Sequence, residues 1–157
     1  MSKKKILFVC MGNICRSPSA EAVFKSTAQR EGLSDQFEID SAGTGAWHVG
    51  EKADMRMQKH AIKRGYSLTS ISRQFNPETD FDAFDIIIGM DNQNIEDLKK
   101  LARNEDDLDK ICKMTDFSKE WSYDNVPDPY YGGEDGFELV LDLLEDASTG
   151  LLEKLKN

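Results

Sequence analysis

A short, fully apolar run near the start of the chain is followed at once by a turn-forming segment and a helical pattern. Residues 6–9 read Ile-Leu-Phe-Val, which is typical of a strand buried on both faces of a parallel sheet. Ser17 and Pro18 favour the start of a helix, and apolar residues then recur at helical spacing. The sequence therefore predicts a strand near 5–9, a tight loop, and a helix over 18–31.

Residues 10–18 form the predicted loop and read Cys-Met-Gly-Asn-Ile-Cys-Arg-Ser-Pro. Backbone N–H groups and the positive end of the helix dipole stabilise a thiolate or a bound oxyanion at such a position. We therefore predict that Cys10 is a nucleophile and that Arg16, with its planar fork of donors, binds a phosphoryl group. The Ser17 hydroxyl could donate a hydrogen bond to the thiolate. In the alternative interpretation, Cys10 is a buried structural residue and Arg16 a solvated cation.

A second segment with a restricted backbone lies far downstream, at residues 126–133. Asp128 stands between two prolines, which hold it in an extended conformation rather than in a helix. A positioned carboxylic acid is the usual proton donor to a leaving phenoxide or alkoxide, so we predict that Asp128 is a general acid. Tyr130 and Tyr131 would give an aromatic wall for a flat substrate. The alternative is an ordinary surface turn in an acidic part of the chain.

Patterns of strands and helices alternate along the rest of the chain. A second continuous apolar run covers residues 86–88, and the final segment keeps one apolar face at helical spacing. The alternation predicts one α/β domain over residues 1–157, built as an open, four-stranded parallel sheet with helices on both faces. Cys10 then lies at the carboxyl end of a strand, where such sheets bind ligands. Further strands are predicted near 37–41, 84–89 and 110–114, and further helices over about 53–64, over about 92–102 and at the C-terminus.

Charge is unevenly distributed along the chain, which carries a net charge of −9. Residues 1–77 hold 12 basic and 7 acidic side chains, whereas residues 78–157 hold 8 basic and 22 acidic ones. The basic half contains the loop, as an anionic ligand would prefer, and the acidic half would repel nucleic acid. We therefore expect an anionic ligand and no nucleic-acid partner.

The cysteine and histidine positions predict neither a disulfide framework nor a metal site. The three cysteines, Cys10, Cys15 and Cys112, show no usual metal-ligand spacing with one another or with His48 and His60. We therefore predict no metal and no cofactor. His60 falls within a predicted helix and is expected to be solvated. The apolar residues before Cys10 are too few for a signal peptide or a membrane span, so we expect a cytoplasmic protein without a membrane partner.

Further short motifs follow the loop along the chain. These are Ser-Ala-Gly-Thr at residues 41–44, a tryptophan at Trp47, Met-Asp at residues 90–91, and Asp-Pro-Tyr-Tyr at residues 128–131. Together with the loop, which has the form Cys-x-Gly-Asn-x-Cys-Arg-Ser-Pro, these motifs resemble in their order those of the low-molecular-weight protein tyrosine phosphatases. The chain is similar to this family along nearly its whole length.

The resemblance implies a three-layer, flavodoxin- or Rossmann-like fold and metal-independent hydrolysis of phosphotyrosine in proteins or peptides, with inorganic phosphate as a product. Cys10 would form a phosphocysteine, Arg16 would bind phosphate oxygens, and Asp128 would act as general acid and then as general base. The enzyme would be a monomer or would self-associate weakly through its aromatic rim. The other implied positions are the phosphate-binding loop residues Met11, Gly12, Asn13, Ile14, Cys15 and Ser17, the loop support Ser41, and the substrate-cleft residues Trp47, His48, Tyr130 and Tyr131.

Three positions refine what the resemblance implies. Mammalian members support the loop with a histidine where this chain has Ser70, so part of that support must come from elsewhere. Relatives that act on phosphoarginine tend to have threonine where this chain has Ile14, so we expect a preference for phosphotyrosine. Cys15 matches a family cysteine that pairs with the nucleophile on oxidation, which implies a redox-sensitive enzyme.

Other functions on the same scaffold remain alternatives. Arsenate reductases share the fold and the loop but use two further cysteines downstream, where this chain has only Cys112. A phosphotyrosine-binding module would tolerate loss of the nucleophile or the acid, and this chain has both Cys10 and Asp128. We therefore expect catalysis, with phosphoarginine or dual-specificity phosphatases as the closer alternatives.

Overall fold

The computed structural model describes residues 3–129 and 133–156 of the chain. Its strands are β1 (Lys4–Cys10), β2 (Phe37–Gly43), β3 (Ile86–Gly89) and β4 (Ile111–Lys113). They form one parallel sheet in the order β2-β1-β3-β4, which confirms the predicted four-stranded parallel sheet. The α-helices of the described residues are α1 (Arg16–Arg30), α2 (Met55–Lys63), α3 (Pro77–Ala83), α4 (Asn92–Leu101), α5 (Glu105–Lys110) and α6 (Glu134–Leu155).

Strand β1 lies between β2 and β3 and is covered on both faces. Its apolar residues 6–9 are fully buried, as the continuous apolar run predicts. Because successive side chains of a strand point to opposite faces, Ile6 and Phe8 belong to the core shared with α1, α2 and α6. Leu7 and Val9 belong to the core shared with α3 and α4. Helices therefore cover both faces of the sheet, as predicted.

Two short helices, α3 and α5, lie in segments for which the sequence predicts no element. Asn76 caps α3 by accepting a hydrogen bond from a backbone N–H of the first turn, and Pro77 is the first helical residue. Asn104 caps α5 in the same way. Helices of this length carry too little apolar periodicity to be recognised from the sequence. The end of α3 also shortens the next strand, so that β3 begins at Ile86 rather than near residue 84.

The carboxyl ends of β1, β2 and β3 meet at one edge of the sheet. In the pairing register Cys10 lies beside Gly43, and Val9 lies beside Gly89. Helices α1 and α4 begin shortly after β1 and β3, so the fold brings two helix N-termini to the edge where parallel α/β sheets bind ligands. Within the described part of the chain, no helix is both long enough and apolar enough to cross a lipid bilayer.

Candidate active site

The loop between β1 and α1 is a tight turn that depends on two backbone positions. Asn13 has a φ of 57°, and it is the only non-glycine residue with a positive φ in the described ranges. Asparagine is one of the few residues that adopt this left-handed conformation readily. At the end of β2, a Cβ on Gly43 would lie 2.8 Å from the Met11 carbonyl oxygen, so a side chain at this position would displace the loop.

Three hydrogen-bonding groups of the loop surround the Cys10 sulfur. Ser17 Oγ lies 3.0 Å from Sγ, the Asn13 N–H donates to it at 3.3 Å, and the Ser17 N–H donates to it at 3.4 Å. Donors directed at a sulfur in this way stabilise negative charge on it, as a nucleophilic thiolate requires.

A chain of buried hydrogen bonds holds the loop in place. Asn13 Nδ2 donates to Ser17 Oγ at 2.8 Å and to Ser41 Oγ at 3.0 Å. Ser41 in turn donates to Glu21 Oε1 at 2.7 Å. Ser41 thus lies where a loop support would act, and Glu21 extends the network in a way that no sequence motif indicated.

Two residues of the segment that follows α2 also support the loop. Ser72 Oγ donates to the Gly12 carbonyl oxygen at 2.9 Å, and the Arg73 N–H donates to Asn13 Oδ1 at 3.0 Å. Ser72 is almost completely buried. Part of the loop support that was expected to come from elsewhere than Ser70 therefore comes from Ser72, two residues further along the chain.

Arg16 is buried, and its guanidinium faces two carboxylates. Nη1 lies 2.5 Å from Asp91 Oδ2 and donates to the Val126 carbonyl oxygen at 3.2 Å. Nη2 lies 3.6 Å from Asp128 Oδ2. Burial opposes the charge, but the Cys10 sulfur and the two neighbouring carboxylates raise the pKa of Arg16 above its usual value. Arg16 is therefore a permanent cation beside the loop.

Asp91 is a residue of the site to which the sequence assigned no role. Its Oδ1 caps α4 by accepting a hydrogen bond from the Asn94 N–H at 2.8 Å, while its Oδ2 contacts Arg16. The Met-Asp pair before a helix can be recognised in the sequence, and the aspartate there indicates a helix cap. It does not indicate that this aspartate contacts Arg16, which lies 75 residues earlier in the chain. The fixed cap orients the carboxylate and, through it, the guanidinium of Arg16.

The loop lines a pocket of about 490 Å³. Cys10, Arg16 and Asp128, the three residues predicted to be catalytic, all line this pocket. Tyr130 and Tyr131, which were also predicted to line the cleft, lie outside the described residues. The other lining residues are Met11, Gly12, Ile14, Cys15, Trp47 and His48.

Trp47 and His48 form part of the pocket wall. Trp47 is 71% exposed, and its indole lies against Gly45, where a Cβ would be only 1.8 Å from a ring carbon. His48 Nδ1 lies 3.2 Å from Glu51 Oε1. An exposed indole seated on a glycine can present an aromatic surface to a ring-bearing ligand.

Cys15 lines the same pocket but differs from a nucleophile in its protonation. Burial raises the pKa of the Cys15 thiol far above its usual value, and the nearby Asp54, Cys10 and Asp128 raise it further. Cys15 is therefore a thiol at neutral pH, whereas the thiolate is the reactive form of cysteine. This leaves Cys10 as the candidate nucleophile of the pocket.

The site is suited to a tetrahedral oxyanion. It combines the permanent cation Arg16 with the N–H groups of a helix N-terminus, and both bind phosphate oxygens well. Within residues 3–129 and 133–156, no group of three or more His, Cys, Asp or Glu side chains is arranged to hold a metal ion.

Comparisons with known proteins give a consistent result. The family model described as "Low molecular weight phosphotyrosine protein phosphatase" matches residues 5–157. A low molecular weight protein-tyrosine-phosphatase of Streptomyces coelicolor is 43% identical over 154 residues, covering 97% of this chain and 93% of that one.

The crystal structure of a protein tyrosine phosphatase from Entamoeba histolytica is 49% identical, with a TM-score of 0.95 over 98% of this chain and 97% of that one. The crystal structure of a Drosophila arginine phosphatase is 31% identical, with a TM-score of 0.89 over 98% of both chains. Phosphatases named for tyrosine and for arginine therefore share this fold.

Proposed function

Because the chain belongs to the low molecular weight phosphotyrosine protein phosphatase family, we propose that it hydrolyses phosphotyrosine esters through a covalent phosphocysteine intermediate. One observation carries the proposal: Cys10, Arg16 and Asp128 line a single pocket, and N–H groups surround the sulfur. The reaction needs no metal, because Arg16 and the loop N–H groups offset the phosphate charge.

In the first step, the Cys10 thiolate attacks phosphorus. A P–S bond forms as the P–O bond to the tyrosine ring breaks. Arg16 and the loop N–H groups bind the three equatorial oxygens, on which charge is concentrated during transfer. Asp128 protonates the departing phenolate, so that tyrosine leaves as a neutral phenol. Asp91, which contacts the guanidinium, keeps Arg16 oriented toward the oxygens.

In the second step, water attacks the phosphocysteine. Asp128, now a carboxylate, accepts a proton from the water, and the P–S bond breaks to release inorganic phosphate. The Ser17 hydroxyl, 3.0 Å from the sulfur, stabilises the thiolate as it departs. Nucleophile and acid then have their original protonation states, and the enzyme is ready for another substrate.

We further propose that the enzyme prefers phosphotyrosine to phosphoarginine. Ile14 and Trp47 give the pocket an apolar side chain and an aromatic wall, which suit a flat phenyl ring. The guanidinium of phosphoarginine would lose hydrogen bonds to water in these surroundings, and Ile14 offers no hydroxyl to replace them.

The test compares matched peptides that carry phosphotyrosine, phosphoserine or phosphoarginine, with a metal chelator present. We expect the highest kcat/KM for phosphotyrosine, by about tenfold or more, and a smaller difference from phosphoarginine in Ile14→Thr. Ile71→Thr, which changes an isoleucine that is 51% exposed and lies outside the pocket, is the matched control. Turnover confined to phosphoarginine would contradict the proposed preference. Tight binding without turnover of any peptide would indicate a binding module instead.

We also propose that Cys15 protects Cys10 from irreversible oxidation, since both thiols line the same pocket. Peroxide would oxidise the Cys10 thiolate to a sulfenic acid and release hydroxide. The Cys15 sulfur would then displace the sulfenic oxygen as water, with loss of its own proton, to form a disulfide. A thiol reductant would return both cysteines to the reduced state.

After brief peroxide treatment, the wild-type enzyme should regain most of its p-nitrophenyl phosphate turnover on addition of dithiothreitol. Cys15→Ser should remain largely inactive, because its sulfenic acid is oxidised further to the sulfinic acid. Cys112→Ser, which changes a cysteine outside the pocket, should recover like the wild type. Equal recovery of the Cys15→Ser variant and the wild type would show that Cys15 gives no protection.

We also propose a domain organisation, a cellular location and partners for the enzyme. We propose that residues 1–157 form one domain, and the position of the two cores on opposite faces of one sheet supports this. The protein acts in the cytoplasm on tyrosine-phosphorylated proteins or peptides, as a monomer or with weak self-association. Its net charge of −9 disfavours nucleic acid as a partner.

A further inference from the structure

A second groove, of about 310 Å³, adjoins the active-site pocket at Trp47. Met11 and Leu101 contribute apolar surface to it, and Lys100 contributes a cation. The groove is separate from the residues that carry the proposed chemistry, because none of Cys10, Arg16 and Asp128 lines it.

The groove and the active-site pocket are adjacent and share two lining residues. Met11 and Trp47 line both. The indole lies in close contact with Gly45, where a Cβ would be only 1.8 Å from the ring, so a side chain at this position would displace Trp47. A residue next to a phosphotyrosine held in the pocket would therefore be within reach of the groove.

The surface of the groove suits an apolar side chain. Leu101 ends α4 and is 36% exposed, so about a third of its surface is open to a ligand. Two charged residues, Asp97 and Lys100, also line the groove. Asp97 already accepts a hydrogen bond from Gln93 Nε2 at 3.0 Å. Removing the exposed surface of Leu101 and Met11 from water would favour binding of an aliphatic group.

We propose that this groove binds an aliphatic side chain that flanks the phosphotyrosine in the substrate, and that Leu101 is a specificity-determining residue. The inference rests on the proposed function, because it assigns a further subsite to the same substrate. The pocket selects the phosphorylated residue, and the groove selects among the sequences around it.

The experiment uses phosphotyrosine peptides with glycine at all flanking positions, and a set in which a single leucine replaces glycine at each position within two residues of the phosphotyrosine. In the wild type, leucine at one of these positions should raise kcat/KM by about tenfold over the all-glycine peptide. Leu101→Gln should remove most of this gain. Leu108→Gln, which changes a leucine of the same 36% exposure on α5, should retain it.

Turnover of p-nitrophenyl phosphate, which has no flanking residues, separates this inference from the proposed function. It should be unchanged in Leu101→Gln and in Leu108→Gln. Equal kcat/KM for every peptide in the wild type, or a leucine gain that survives in Leu101→Gln, would overturn the inference and leave the phosphatase activity intact. A Leu101→Gln variant that loses p-nitrophenyl phosphate turnover would also overturn it, because Leu101 would then affect the reaction itself. Failure of the wild type to hydrolyse any phosphotyrosine substrate would overturn both.

Discussion

Replacing Cys10 with serine is expected to abolish hydrolysis of phosphotyrosine peptides, lowering kcat by about 10⁴-fold or more. A serine hydroxyl keeps its proton at neutral pH and is a far weaker nucleophile than a thiolate. Serine is close to cysteine in size, so the loop and its bonds to Asn13 and Ser17 should remain. The variant should therefore bind a phosphotyrosine peptide with an affinity similar to the wild-type KM.

Three measurements test the prediction for Cys10→Ser. Steady-state kinetics report kcat, circular dichroism reports the fold, and fluorescence of the exposed Trp47 in the pocket wall reports peptide binding. Cys112→Ser, a change of a free cysteine on β4, should keep wild-type turnover. Substantial activity in Cys10→Ser, with its fold intact, would mean that another group attacks phosphorus.

Replacing Asp128 with asparagine should lower kcat for phosphotyrosine by about 10²–10⁴-fold. The amide keeps the size of the side chain but cannot protonate the leaving phenolate. Asp135→Asn, which changes an exposed acid near the start of α6, should have little effect and is the matched control.

The loss should depend on the leaving group, which distinguishes an acid from a merely structural residue. An aryl phosphate with an electron-withdrawing ring substituent releases a stable phenolate and needs less help from a proton donor. Asp128→Asn should therefore slow such a substrate far less than it slows phosphotyrosine. An equal loss for both substrates would indicate that Asp128 holds Arg16, 3.6 Å away, rather than supplying the proton.

The sequence predicts those parts of the fold and site whose residue patterns lie within one short stretch of the chain. Strand β1, the loop and α1 follow one another along the chain, so one short window contains the buried strand, the turn and the helix start. The apolar run of β3 is equally local. These patterns place Cys10 at the end of a buried strand, and Arg16 in the loop that leads into the next helix, without any knowledge of the tertiary structure.

Contacts between distant segments could not be predicted in this way. Ser72 supports the loop from 60 residues away, and Asp91 contacts Arg16 across 75 residues. A serine in a loop and an aspartate at a helix cap are common in proteins, and each has an ordinary local explanation. Only the connections between strands bring these side chains to the same edge of the sheet.

The expectation that His60 is solvated is wrong for the same reason. His60 is 6% exposed, stacks on Phe137 with ring centroids 5.3 Å apart, and pairs with Glu138. Both partners belong to α6, which packs against α2. The periodicity of α2 alone cannot indicate that the final helix of the chain covers this face.

The most direct test of the mechanism is to trap the covalent intermediate. The enzyme would be mixed with a phosphotyrosine peptide labelled in its phosphate, quenched during turnover in alkaline denaturant with a metal chelator present, and digested for peptide mapping. We expect labelled phosphate on Cys10, at up to one phosphate per enzyme, and no labelled enzyme from Cys10→Ser. Hydrolysis that proceeds without a labelled enzyme, or with the label on any other residue, would contradict the phosphocysteine mechanism.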